Sequence, residues 1–341
     1  AAPHAAHPAG ARRPGCLMGA ISQSVGLFGA TGELGRAFFD ALEEQGAFVG
    51  RLRLFASERS SEETRLFRDK PLAVEVADDA DFDDLNEAIL AVPAEGADDL
   101  AARLLAAGVR VGDASGHLRA RPQAVKLAEA GPDSALVVLA DPLAGILAPV
   151  AQALDALSPL QRLDATVLAP VSLRGRAGVG ELARQTGELL NGRGISTDAW
   201  PQQVAFNILS SDTALDGNGT GTRERRVRQV LAAVLPQARI HLRQLVVPVF
   251  YGATISLHWQ HEAAVERAAV AAALARVPGV RVHDGGDPAE LPTPVGLGVD
   301  NEDINVSRLG TDAGDGLALL LADPLRAGLV RPLLAALLNE G

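Results

Sequence analysis

Two hydrophobic periods alternate along the first half of the chain. Ser24–Phe28 (SVGLF) is a short apolar run that stops on Gly29. Arg36–Gln45 then carries helical spacing, with Ala37, Phe38, Ala41 and Leu42 on one face, and Gly46 ends it. Arg51–Ala56 and Leu72–Ala77 predict two more strands, the second followed by a solvated acidic turn, Asp78–Asp84. Glu87–Val92 predicts a strand and Gly96–Ala107 a helix closed by Gly108. Val109–Val111 leads into Gly112-Asp113-Ala114-Ser115, and Ala135–Ala140 is an apolar strand that ends at Asp141-Pro142. Alternating strands and helices with fully apolar strands mean a parallel sheet covered on both faces.

The second half reads differently. Ala148–Leu157 is helical, Leu163–Leu168 a strand, Gly180–Asn191 and Arg223–Leu235 amphipathic helices, and Pro332–Asn339 a closing helix. Leu242–Phe250 and Ala253–Gln260 predict neighbouring strands. In the second of them Thr254, Ser256, His258 and Gln260 alternate with Ile255, Leu257 and Trp259, so one sheet face is packed and one is wet. The expected fold class is α/β. A doubly wound Rossmann-type sheet over residues 21–145 is completed by residues 312–341. A C-terminal α/β domain covers 146–311.

Composition narrows the setting. At 341 residues the chain is long enough for two domains. No apolar run reaches the ~18 residues of a membrane span, so no membrane partner is expected. A net charge of −11, with Lys70 and Lys126 the only lysines, excludes the basic face that nucleic acid requires. Cys16 is the only cysteine, so no internal disulfide can form and a cytoplasmic location is expected. It lies in Ala1–Gly19, a stretch without structural period. Residues 1–20 are read as a disordered leader, Met18 as a candidate start, and His4, His7 and Cys16 as no metal site.

The candidate chemistry begins at Gly29-Ala30-Thr31-Gly32-Glu33-Leu34-Gly35. Strand, glycine turn, helix and second strand is the order a dinucleotide site needs. Glycines let the backbone approach a pyrophosphate, and the helix N-terminus supplies amides and a positive dipole. Gly29, Thr31, Gly32 and Gly35 are therefore candidate cofactor contacts. The second strand runs into Ala56-Ser57-Glu58-Arg59-Ser60, with no carboxylate at its end to bind a ribose hydroxyl. A hydroxyl and a guanidinium at Ser57 and Arg59 suit a 2′-phosphate, so NADP is favoured over NAD.

From this point the sequence resembles the aspartate-semialdehyde dehydrogenase family. The likeness runs from the glycine turn to the last helix. It includes Ala56-Ser57 with Arg59-Ser60, then Asp113, Ser115 and Arg119, then Pro142. Further blocks are Glu181-Leu182 with Gln185-Thr186, Ala205-Phe206-Asn207, Pro248–Gly252, Pro292-Thr293-Pro294, and Ala322-Asp323 with Leu325-Arg326. The resemblance implies a homodimer and reduction of an acyl phosphate by NADPH through an enzyme thioester. That chemistry needs a thiol nucleophile and a base. It also implies that Ala144 stands at the cysteine's place, Ala253 at the histidine's, Val246 at a substrate-binding arginine's and Ala169 near a glutamine's. Arg119, Glu224 and Arg226 match contacts to the substrate's phosphate and amino group, so a small anionic ligand is expected there.

The resemblance therefore points to a member that looks like the Usg-type dehydrogenase-like paralogues and lacks the nucleophile and the base. No catalytic residue and no metal ligand is assigned. An alternative is an active NADP-dependent oxidoreductase with direct hydride transfer, for which Asp113, Asp141 and Glu224 are candidate acids or bases. Another is a non-enzymatic binding or assembly protein. Acetylglutamyl-phosphate reductase shares the opening glycines and also needs a cysteine.

Overall fold

The computed structural model describes residues 23–44, 49–58, 63–78, 80–127, 130–139, 141–297 and 301–338. The leader, with His4, His7 and Cys16, and the cofactor candidate Arg59 lie outside the described residues.

The first sheet has eight strands. They are β1 (Gln23–Phe28), β2 (Val49–Ala56), β3 (Thr64–Phe67), β4 (Lys70–Val76), β5 (Glu87–Leu90), β6 (Arg110–Asp113), β7 (Ala124–Lys126) and β8 (Leu136–Val138). Their spatial order is β3-β4-β2-β1-β5-β6-β8-β7, and every pair is parallel except the short β3–β4 hairpin. The order reverses direction at β1, which lies between β2 and β5. In an open parallel sheet the crevice outside the strand C-termini at that point is where ligands bind.

Both faces are covered, as apolar β1, β5 and β8 require. Helix α1 (Glu33–Glu44) packs on one face with the closing helix α7 (Arg331–Leu337). Phe38, Leu42, Leu333, Leu334 and Leu337 belong to one apolar cluster there. Helix α2 (Ala94–Ala106) covers the other face. Phe28 and Phe55 stack there with ring centroids 4.3 Å apart, and Phe82 meets both edge-on.

The second sheet has six strands. They are β9 (Leu160–Ala169), β10 (Arg239–Val246), β11 (Ala253–His261), β12 (Val280–Val282), β13 (Ile304–Asp312) and β14 (Asp315–Ala322), in the order β10-β9-β11-β14-β13-β12. Helices α3 (Pro142–Asp155), α5 (Thr222–Val234) and α6 (Arg267–Leu274) share one apolar cluster with this sheet. Helix α4 (Gly175–Leu190) packs apart from them, around Trp200 and Leu209. The opposite sheet face carries exposed His241, His258 and Leu317, matching the alternation read in β11.

One expected boundary moves. Residues 312–341 do not return as a block to the first domain, because β14 pairs antiparallel with both β11 and β13 in the second sheet. The return comes after Ala322, through a π-helical turn at Arg326–Val330 into α7. That turn and α3 touch backbone to backbone. A Cβ on Gly145 would lie 1.9 Å from the Gly328 carbonyl oxygen, so only glycine fits there.

Candidate functional site

The glycine turn sits at the sheet's reversal point. Gly29 has φ +84°, and a Cβ on it would meet the Ala91 carbonyl oxygen at 2.4 Å. A Cβ on Gly35 would lie 2.0 Å from the Gly29 oxygen, so Gly35 lets α1 start directly against the turn. The Gly29 and Ala30 amides donate to the Phe55 carbonyl at 2.8 and 3.0 Å, which ties the turn to β2. Among the described residues no acceptor meets the amides of Glu33 and Leu34. First-turn amides left over in this way are what an anion at a helix N-terminus takes up.

Beside the turn lies a cleft of about 620 Å³. Gly29, Thr31 and Gly32 line one side, Phe55, Ala56 and Ser57 the end of β2, and Val92 and Pro93 the exit from β5. Four cofactor candidates, Gly29, Thr31, Gly32 and Ser57, thus share one cleft, while Gly35 acts behind it. The far wall includes Asp78, Asp99 and Arg103, none of which sequence reasoning singled out. Arg103 is held by the Ala77 and Ala80 carbonyls and lies over the Phe82 ring. The bare glycine backbone, the open amides and the cleft fit a dinucleotide, whose pyrophosphate Gly29–Gly35 would hold.

The second strand-to-helix turn leads from β8 into α3. Asp141 caps α3, accepting the Leu143 amide at 3.0 Å, and Pro142 occupies the first helical position. Asp141 is buried and pairs with Arg223 at 2.9 Å. Burial pushes its carboxyl above the ordinary range, and Arg223 pulls it back. Ala144 follows in the first turn of α3 at 2% exposure. Ala253 opens β11 at 0%. Both belong to the apolar cluster of the second domain, which also takes in Ala169. Val246 is buried at the end of β10.

A groove of about 460 Å³ joins the two turns. It runs from Gly32 and Glu33 to Pro142, past Ser172, Arg176 and Arg223. A neighbouring hollow of about 290 Å³ gathers Glu33, Arg176, Tyr251 and Asp323. Burial raises the pKa of Glu33, Tyr251 and Asp323, with mutual repulsion adding to the first two and Arg176 opposing it. These groups were not legible beforehand, because nothing in the sequence shows that residues 33, 176, 251 and 323 meet.

The anion candidates divide. Arg119 and Arg226 line one cavity of about 430 Å³, together with Lys126. Burial lowers the Arg226 pKa and the Arg119 charge lowers it further. Arg119 follows a loop fixed by buried Asp113, whose carboxylate accepts the Ser115 amide, the Ser115 hydroxyl and the Leu118 amide. Glu224 lies elsewhere. Its carboxylate accepts the Gly221 amide at 2.7 Å and the Gln244 amide at 2.9 Å, which caps α5 and holds it to β10. The motif pair Glu181 and Gln185 is similarly engaged, bonding to each other at 2.9 Å and to amides between 198 and 205.

Comparison with known proteins matches this architecture end to end. The semialdehyde dehydrogenase NAD-binding domain covers residues 24–140, and the semialdehyde dehydrogenase dimerisation domain covers 147–326. The chain belongs to the semialdehyde dehydrogenase family. Among its relatives in that family is a USG-1 protein homolog of Azotobacter vinelandii, 35% identical and spanning 89% of this chain and 93% of the relative. The aspartate-semialdehyde dehydrogenase of Legionella pneumophila is 29% identical over 89% of this chain and 92% of its own. The crystal structure of aspartate semialdehyde dehydrogenase II of Vibrio cholerae superposes with a TM-score of 0.85 at 25% identity. It covers 92% of this semialdehyde dehydrogenase relative and 97% of the Vibrio chain.

Proposed function

We propose that this chain is a dehydrogenase-like member that binds NADP and dimerises but does not carry out the thioester reaction. The observation that carries the reading is Ala144. By the family resemblance it takes the cysteine's place and Ala253 the histidine's; Ala144 is buried in the first turn of α3 and shares an apolar cluster with Ala253. A methyl group can neither attack a carbonyl nor hold an acyl group. Gly145 cannot be exchanged for a nucleophile because of its contact with Gly328. The full chain supplied with aspartate semialdehyde, NADP and phosphate is expected to show no NADP reduction above the protein-free rate. Turnover would overturn the reading.

A bound nicotinamide cofactor supplies hydride chemistry. The chain's own part is to bind and orient it: Gly29, Thr31 and Gly32 at the pyrophosphate, and Ser57 with Arg59 at the 2′-phosphate. NADP is expected to raise the melting temperature more than NAD does at equal concentration. No shift with either dinucleotide would favour a purely non-enzymatic assembly protein. The three acids considered for direct hydride chemistry do not support that alternative. Asp113 shapes a loop, Asp141 caps α3 and Glu224 caps α5.

The homodimer is supported by two features of the second domain. Its open sheet face is unpartnered in the single chain. The Phe206 loop is also exposed, with Phe206 65% exposed at φ +58° and Ile208 59% exposed. Arg119 and Arg226 are proposed to hold a small anion. The single cysteine of the sequence supports a reducing, cytoplasmic setting.

A further inference from the structure

We infer that the anion site at Arg119 and Arg226 is one end of a longer ligand site, whose other end is an apolar chamber beside Ala144. Its occupant is a small amphiphile, an anionic head on a compact apolar body. The inference rests on the reading of Arg119 and Arg226 as anion ligands.

The chamber encloses about 290 Å³ between α3, α5, α7 and the strands around Ile304. Leu139, Ala144, Ala148, Pro149, Ile304 and Ala327 form much of its wall. A space of this size is at the lower end of small-molecule sites. It adjoins the cationic cavity, because Lys126 and Val230 line both. Arg331 and Gln152 also line the chamber, but Arg331 is paired with Asp303 at 3.8 Å, and the facing arginines lie on the Arg119–Arg226 side.

Charge decides the head group. The chain carries a net charge of −11, yet no carboxylate lines either space among the described residues. Among the described residues Arg226 forms no hydrogen bond or ion pair, and after burial the strongest influence on it is the charge of a second arginine, Arg119. Two guanidinium groups turned towards one cavity repel each other, and buried Asp141, which attracts Arg226, is already paired with Arg223 and lines neither space. An anion between them removes the repulsion and is gripped by planar donor forks. An apolar space with a cationic mouth selects a molecule with matching ends. Small polar anions leave the chamber unfilled, and neutral hydrocarbons leave the arginines unpaired. A carboxylate and a phosphate monoester satisfy the head equally, so both enter the test.

Calorimetric titration of the full chain with inorganic phosphate, butyl phosphate, hexyl phosphate, heptanoate and 1-hexanol at constant ionic strength tests this. Hexyl phosphate or heptanoate is expected to bind at least tenfold more tightly than inorganic phosphate and than 1-hexanol. The tighter of the two names the head group. From butyl to hexyl phosphate, affinity should rise about fourfold per methylene, as burial of a CH₂ group gives. Arg226→Gln should weaken inorganic and hexyl phosphate alike by about tenfold. Ala335→Phe fills the chamber from half-buried Ala335 on α7. It should reduce hexyl phosphate to the affinity of inorganic phosphate and leave inorganic phosphate unchanged. Equal affinity for inorganic, butyl and hexyl phosphate would overturn the chamber's role while keeping the anion site. Inorganic phosphate binding that ignores Arg226→Gln would remove the anion site itself, and the proposal with it. If Ala335→Phe does not fold, the butyl-to-hexyl comparison in the unaltered chain decides.

Discussion

Two turns of the same kind face each other across the groove between the domains, and they differ in what meets the helix N-terminus. Between β1 and α1 the turn is Gly29–Gly35, and the first amides of α1 have no acceptor among the described residues. Between β8 and α3 the turn carries its own acceptor, Asp141, which takes the Leu143 amide and is neutralised by Arg223. A helix N-terminus is an anion site only while its amides are untaken. The first turn is open to a ligand, and the second is closed by a side chain with an apolar residue behind it.

Arg223→Ala breaks the closed turn most severely. It leaves Asp141 buried without its counter-charge, and a stability loss of about 3–5 kcal/mol is expected at pH 7. Urea unfolding measures it. Asp141 has a raised pKa, so the loss should shrink as the pH falls and the carboxyl takes a proton. A loss that does not change with pH would show that Arg223 matters for packing and not for charge.

Gly35→Ala attacks the open turn. Its methyl would lie 2.0 Å from the Gly29 oxygen, so backbone must move. About 2–3 kcal/mol of stability should be lost, together with the thermal shift given by NADP. Retained NADP binding in a folded Gly35→Ala variant would separate the turn's packing from its ligand role.

Away from both turns, buried Glu87 gives a smaller, pH-graded effect. Its carboxyl lies 3.8 Å from Arg110, yet burial pushes its pKa from 4.5 to about 8. The folded chain therefore keeps a proton that the unfolded chain releases above pH 4.5. The stability is full below that value and is lost as the pH climbs towards 8. Glu87→Gln should come close to the parent at pH 5 and exceed it in stability at pH 8.5, as urea unfolding at the two pH values would measure. Arg110 retains three carbonyl partners, Ser134, Gly131 and Leu337. An equal difference at both pH values would mean that Glu87 is charged throughout.

Ala144→Cys should change least, by under about 1 kcal/mol, since one sulfur enters beside an existing chamber. Its thiol at the start of α3 is expected to give no dehydrogenase turnover, because Ala253 supplies no base. Turnover by this single variant would show that the second turn had lost only its nucleophile.

Much of this comparison was legible before any coordinates. Strand–turn–helix order identified the first turn, and the apolar strands identified the parallel sheet. Ala144 and Ala253 stood out against the family pattern. Other features were not. No element is read from the sequence between Gln260 and Pro332, where α6 and β12–β14 lie. Helix α6 and β12 are short, eight and three residues, and β14 is a continuous apolar run, Leu317–Ala322, in which the sequence does not alternate although the burial does over its first half. Glu224 read as a ligand contact because a capping carboxylate and a binding carboxylate look alike in a sequence. Only the Gly221 and Gln244 amides distinguish them.

The sequence by itself determined the period of each strong element, the glycines that a close backbone approach demands, and the residue types available for chemistry. These are local properties, set by side-chain volume, branching and charge within a few positions. The tertiary structure alone decided which distant residues share a cavity. It brought Arg119 to Arg226 and Lys126, set Asp141 under Arg223, and placed Ala144 on an apolar chamber. Burial and charge neighbourhood are properties of contact between segments far apart in the chain, so no local pattern encodes them.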